Sequence, residues 1–343
     1  MIIDTQQLQN ALLVPKLKEH ELIKYLRRLN EIFTVERKSL ESYPESRELV
    51  SAYTMFYMAT NIPKLRFILD KIPASLREKM ANSTFIDVGT GPGTYLWAWW
   101  DYFGGKVGPL FGIDQSKLML EQAQICAEKL FEEKLSVTLT TSLPSFSLGA
   151  KTLFFGHSLD EMGIAQGLKM IDRVDPDFII ALGPGTSFYF KNALELRQIL
   201  LQKGFSIHYP CMHPFECPLS KKEGDWCHQI FHHVHDPSIE RLSQMIERDR
   251  RTMPLIAHVY SKDKNESKNQ GTLVRFLSET KFSFEFQVCL SDGNEKKIEV
   301  LKKNLDKEQI KKFRKGDVGE LLQFEIEKKL TDQCLRVRLT SSL

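Results

Sequence analysis

The stretch 210–228, PCMHPFECPLSKKEGDWCH, sets three cysteines, Cys211, Cys217 and Cys227, within seventeen residues. Pro210, Pro214, Pro218 and Gly224 keep it irregular, so it reads as a loop. No regular helix or strand turns side chains at these spacings toward one point, whereas a loop can. Three thiols in a loop are poor packing groups, and their spacing predicts a metal or a metal cluster. The fourth ligand has to come from elsewhere. Cys289 is the candidate, because it closes an alternating stretch just before an Asp292-Gly293 turn. Cys126, inside a helical pattern, and Cys334, in a terminal strand, read as buried apolar thiols. His213 and His228 flank the cysteines as further ligands or as donors to the ligands. Four cysteines suit tetrahedral zinc and a [4Fe–4S] cluster alike. Intervals of five, nine and sixty-one residues do not choose between the two.

Clustered cysteines point to metal binding in a reducing interior more than to disulfides. The opening MIIDTQQLQN has no basic start and apolar core, so no secretory signal is expected. Asp4 and the lack of early arginine speak against an intact mitochondrial transit peptide. The apolar runs, such as 178–182, are too short to cross a membrane. Net charge is +3, unevenly spread: residues 82–202 carry 9 basic and 13 acidic side chains, and the flanks are mildly basic. This permits a nucleic-acid partner without requiring one.

Four stretches follow from the pattern. Residues 1–80 read as helical, with Leu17, Leu22, Tyr25, Leu26, Leu29 and Phe33 at helical spacing. Pro44 ends that first helix at or before Tyr43. A second helix runs through Tyr53, Phe56 and Tyr57 to a break or kink at Pro63, and its aromatic stripe reads as core. Residues 81–205 alternate short apolar strands (85–88, the strand ending at Asp114, then KTLFFG and PDFIIALGP) with helices, which predicts a parallel, doubly wound sheet. Residues 206–260 hold the cysteine loop and a helix over 237–252 rich in Arg241, Arg248, Arg250 and Arg251. His232, His233 and His235 read as surface groups. After a polar loop at 261–271, residues 272–343 are β-rich. There Phe282, Phe284, Phe286 and Val288 alternate on one face, and two strands close the chain.

The turn Asp87-Val88-Gly89-Thr90-Gly91-Pro92-Gly93 lies between a strand and a helix. Glycines there tolerate positive φ and let a ligand reach the backbone, and the helix N-terminus behind them favours an anionic group. Asp114 ends the next strand, where a carboxylate can accept from ribose hydroxyls. The spacing differs from GxGxxG and resembles class I methyltransferases, whose ligand is S-adenosylmethionine. Its residues are Asp87, Gly89, Thr90, Gly91, Pro92, Gly93 and Asp114. The loop 156–160 lies where such folds place substrate-side groups, and His157 reads there as a packing or capping residue. No acid, base or nucleophile stands out, and sulfonium alkylation needs chiefly positioning.

Taken together, the motifs resemble the methyltransferase-like assembly factors of the mitochondrial small ribosomal subunit and their bacterial relatives. The resemblance rests on 52–63 before the cofactor domain and on DVGTGPGTYLW from Asp87. It rests also on Pro210-Cys211, His213, Cys217-Pro218-Leu219, Asp225-Trp226-Cys227-His228 and Val288-Cys289-Leu290 with Asp292-Gly293. It implies a class I, Rossmann-like α/β fold with a helical N-terminal cap, a Cys-rich insertion and a small β-rich C-terminal part. It implies a [4Fe–4S] cluster on Cys211, Cys217, Cys227 and Cys289, with zinc as the alternative. Small-subunit ribosomal RNA is the implied partner, with no membrane or DNA, in the bacterial cytoplasm or the mitochondrial matrix. The competing expectation is an active small-molecule or protein methyltransferase with a structural zinc.

Overall fold

The computed structural model describes residues 4–34, 46–131, 136–146, 148–316 and 318–340. The expected helix end near Tyr43 and Pro44 lies outside these. The chain divides into two compact units. One comprises Met1–Asp70, Ala74–Pro176 and His232–Met253, and the other Lys71–Pro73, Asp177–Phe231 and Pro254–Leu343.

The first unit carries four parallel strands: β1 (Thr84–Val88), β2 (Leu110–Ile113), β3 (Val137–Thr140) and β4 (Lys151–Gly156). Their order is β3-β2-β1-β4. β1 pairs in parallel with β2 and β4, which places Asp87 opposite Gly112 on one side and Phe154 on the other. Phe85, Ile86 and Val88 are buried, as continuous apolar runs in a sheet covered on both faces must be. Helices Thr94–Tyr102 and Lys117–Leu130 carry the crossovers from β1 to β2 and from β2 to β3, whereas the described residues between β3 and β4 hold no helix. The N-terminal cap is helical: Thr5–Asn10, Glu19–Thr34, Arg47–Tyr53, Ala59–Leu69 and Ala74–Ala81. Pro63 does not end its helix but sits inside Ala59–Leu69. A π-helical turn, Thr54–Met58, precedes it and loosens the backbone ahead of the residue that cannot donate.

The helix expected over 237–252 is shorter, Pro237–Met245. Asp236 caps it, and Pro237 at its start is preorganised for the first turn. Beyond its end the Ser243 hydroxyl donates to the Arg248 carbonyl, and Glu247 adopts a left-handed φ of 56°. Arg248, Arg250 and Arg251 therefore lie off the helix. His235 is buried rather than on the surface, with Nε2 2.9 Å from the Arg250 carbonyl.

In the second unit β5 (Phe178–Pro184) and β6 (Ser206–Tyr209) each pair antiparallel with β8 (Thr252–Ser261), and β7 (Gln229–His232) also pairs with β8. β8 itself, an antiparallel strand, was not among the strands expected from the sequence. The unit's other sheet has six strands: β9 (Gly271–Glu279), β10 (Ser283–Leu290), β11 (Glu295–Leu301), β12 (Leu321–Leu322), β13 (Phe324–Thr331) and β14 (Cys334–Leu339). Their order is β12-β9-β10-β11-β14-β13, antiparallel except at β11–β14. Phe284, Phe286, Val288, Ile298, Val300, Phe313 and Val337 form its core. Phe282, expected on the same face, is 68% exposed because β10 begins only at Ser283. The chain is α/β, with the parallel order β3-β2-β1-β4 in its first unit. Among the described residues no helix is long and apolar enough to cross a membrane.

Candidate functional site

The glycine turn follows β1 in the first unit. Gly89, Gly91 and Gly93 have φ of 72°, 55° and 84°, a region where a Cβ is strained. The Gly89 and Thr90 amides donate to the Ile113 carbonyl at 2.8 and 3.0 Å, which fastens the turn to β2. A Cβ at Gly93 would enter the Trp97 ring, whose Nε1 donates to the Pro92 carbonyl at 2.8 Å. At Gly91 it would meet only the Tyr53 ring, at 3.9 Å, so the turn is open on that side. Asp114 Oδ2 accepts from the Gly91 amide and Oδ1 from the Ser116 amide, both at 2.8 Å. The carboxylate expected to meet a ribose thus also sets the turn's shape.

Asp87 is fully buried. Its Oδ2 accepts from the Thr90 hydroxyl at 2.7 Å, while Oδ1 has no hydrogen-bond partner. Burial raises its pKa to about 7, with Thr90 opposing and the Asp114 charge adding to the rise. An orphaned buried carboxylate oxygen is receptive to a cationic or N–H donor, such as the ammonium of an amino-acid ligand. Asp87, the open side of Gly91 and Asp114 therefore suit the polar ends of S-adenosylmethionine.

Beside this turn, β4 ends at Gly156. His157 follows with a φ of 66°, and the Ser158 hydroxyl donates to the Val88 carbonyl at 2.5 Å. Tyr53 and Tyr57 stack with centroids 5.3 Å apart, and Phe33 meets both edge-on. The helical stripe read as core therefore reaches the mouth of the turn. His157 Nε2 lies 3.3 Å from the amine of Lys64, a buried residue that sequence patterning did not single out.

The cysteine loop lies in the second unit. Cys211, Cys217, Cys227 and Cys289 line one cavity together with His213. Its remaining walls are largely apolar, among them Phe190, Leu194, Leu219 and Val274. Burial, and then the charges of Cys211, Cys217 and Cys289, push the Cys227 thiol well up, which places all four within electrostatic reach. Cys289 sits next to last in β10 and is likewise raised by burial and by Cys211 and Cys217. His213 Nε2 is 3.3 Å from Cys289 Sγ. His228 contacts the Trp226 carbonyl instead, at 3.4 Å, and does not line the cavity. Cys126 is buried in its helix and Cys334 opens β14.

Several groups hold this loop. Arg197, buried on helix Ser187–Gln202, donates to the His213 and Phe215 carbonyls at 2.7 and 2.9 Å. The Thr272 hydroxyl donates to the Pro210 carbonyl. Arg275 pairs with Asp225 and donates to the Trp226 carbonyl at 3.2 Å, and Trp226 Nε1 donates to the Gly185 carbonyl at 3.0 Å. Among the described residues no three His, Cys, Asp or Glu side chains group tightly enough to hold one metal ion. A single zinc would need its ligands within about 2.3 Å of one point.

The model of the family described as mitochondrial small ribosomal subunit Rsm22 matches residues 47–323. The chain belongs to that family. The match takes in the glycine turn, the cysteine loop and β10. No curated protein sequence matches the chain. Among solved structures, a putative RNA methyltransferase of Pyrococcus horikoshii is similar at 11% identity over 66% of this chain and 88% of its own, with a TM-score of 0.36. The magnesium protoporphyrin IX methyltransferase of Synechocystis, with bound S-adenosylmethionine, is similar at 14% over 69% and 96%, with a TM-score of 0.37.

Proposed function

We propose that this protein serves the small ribosomal subunit as a methyltransferase-like factor. In this reading it binds S-adenosylmethionine in the glycine turn and carries a [4Fe–4S] cluster on Cys211, Cys217, Cys227 and Cys289. Its partner is the RNA of that subunit, in the bacterial cytoplasm or the mitochondrial matrix. The observation that carries the reading is the convergence of four cysteines, three from a loop and one from β10, on one apolar cavity in a chain of this family. The cofactor part is supported by the unpartnered Asp87 oxygen and the open side of Gly91.

When bound, S-adenosylmethionine supplies an electrophilic methyl group. Asp87 would hold its ammonium, Asp114 its ribose, and the amides around Gly91 its close approach. No group in the turn is placed as a general base, so any transfer relies on positioning. The cluster's role is structural, joining residue 289 to the loop. Of the arginines at 241–251, Arg241 already pairs with Glu19 at 2.8 Å and Arg251 with Asp249 at 3.0 Å. Phosphate contacts there would replace exposed pairs of small worth.

Anaerobic purification tests the cluster. Brown protein with about four irons per chain is expected, whereas colourless protein with one zinc overturns that part and favours the zinc alternative. Calorimetry with S-adenosylmethionine should show binding that Gly91→Arg abolishes. Crosslinking in cells should recover small-subunit RNA, and recovery of other RNA or none would reject the partner.

A further inference from the structure

Two basic side chains of the first unit, Lys64 and Arg250, lie in its interior away from any ion-pair partner among the described residues. Lys64 is 3% exposed and its amine has His157 Nε2, at 3.3 Å, as hydrogen-bond partner. The Arg250 guanidinium lies over the Tyr57 ring at 5.0 Å and the Phe56 ring at 5.7 Å, and its buried Nε has no hydrogen-bond partner. His235 adds a third basic group through its contact with the Arg250 carbonyl. Among the described residues neither Lys64 nor Arg250 has a carboxylate within ion-pair distance. Glu240 accepts from the His235 amide instead. A buried ammonium can shed its proton, and burial followed by the Arg250 charge does depress Lys64 strongly. A guanidinium cannot. Uncompensated buried charge of this kind is costly unless an anion completes it.

We propose that Lys64 and Arg250, with His157 orienting the lysine, form a binding site for a small oxyanion, a carboxylate or a phosphate, beside the glycine turn. Three contacts link this place to the turn. Ser158, next to His157, bonds the Val88 carbonyl. Tyr57, beneath Arg250, stacks on Tyr53, and Tyr53 faces Gly91. Tyr57 is joined to Lys64 through the π-helical turn Thr54–Met58 that runs directly into helix Ala59–Leu69. The carboxylate could be that of the amino-acid end of the cofactor, and only this source rests on the reading above. The phosphate would come from a separate ligand.

Two probes on the full chain separate the sources. Inorganic phosphate at fixed ionic strength should raise the melting temperature saturably. Lys64→Met should lose that response while keeping the fold, since methionine suits a buried helix position. Calorimetry then compares S-adenosylhomocysteine with 5′-methylthioadenosine, which lacks the amino-acid end. If the anion is the cofactor's carboxylate, Lys64→Met weakens the first about tenfold or more and leaves the second unchanged. If it is a separate phosphate, both bind Lys64→Met as they bind the wild type, and only the phosphate response is lost. Arg250→Gln should behave as Lys64→Met does and serves if the latter fails to fold. Failure of the wild type to bind either nucleoside rejects the cofactor reading but leaves the phosphate measurement decisive. An unchanged phosphate response together with unchanged S-adenosylhomocysteine affinity in both variants overturns the proposal.

Discussion

Asp87 carries the clearest single-residue consequence. Its folded pKa of about 7 lies above the usual 3.8, so the fold prefers the protonated carboxyl. The stability this contributes is complete below the ordinary value and is lost as pH rises through about 7. The ligand-free wild type should therefore lose melting temperature relative to Asp87→Asn between about pH 5 and pH 8. Parallel curves would show that the carboxyl titrates normally. The turn glycines separate in the same way. Gly93→Ala combines a left-handed φ with a Cβ inside the Trp97 ring, and should cost roughly 2–4 kcal/mol in urea unfolding. Gly91→Ala meets only the strain of its φ and should cost roughly 1 kcal/mol.

At the scale of elements, the loop 210–228 is held chiefly by one helix. Arg197 on Ser187–Gln202 satisfies the carbonyls of His213 and Phe215, so Arg197→Met should destabilise by about 2–4 kcal/mol in chemical denaturation. Helix Thr94–Tyr102 is the contrasting case, because its start was legible in DVGTGPG: local turn chemistry fixes a strand, a left-handed glycine and a helix within a few residues. β8 was not legible, because its partners β5 and β6 are distant in sequence, and arginines at 248–251 extended the apparent helix across its start. Glu247 in a left-handed conformation, which a glutamate does not advertise, ends that helix early. The convergence of Cys289 on the loop was readable, since spacing and the Asp292-Gly293 turn put it at the end of a strand. Lys64 was not, because a lysine in a helical pattern reads as a solvated side chain. Only the tertiary placement of His157 and Arg250 marks it as buried.

For the whole molecule, the question is how much of the fold depends on what the cysteines hold. The second unit has an apolar core of its own, in which Phe284, Phe286, Val288, Ile298 and Val300 come from β10 and β11 alone. That core does not need the cysteine loop, which is half-exposed and held by hydrogen bonds to Arg197, Thr272 and Arg275. Joining residue 289 to 211–227 closes a chain segment of roughly sixty residues, whose entropy cost grows only slowly with length. With the cluster proposed above, Cys289→Ser should therefore abolish its visible absorbance yet leave the far-ultraviolet circular dichroism unchanged. Hydrogen exchange should quicken at 211–228 by about tenfold or more, as for a locally opening segment. β10 and β11 should keep their protection, as should β1 in the other unit. Collapse of protection throughout β9–β14 would show instead that this unit, like small metal-stapled domains, has no stable fold without its metal.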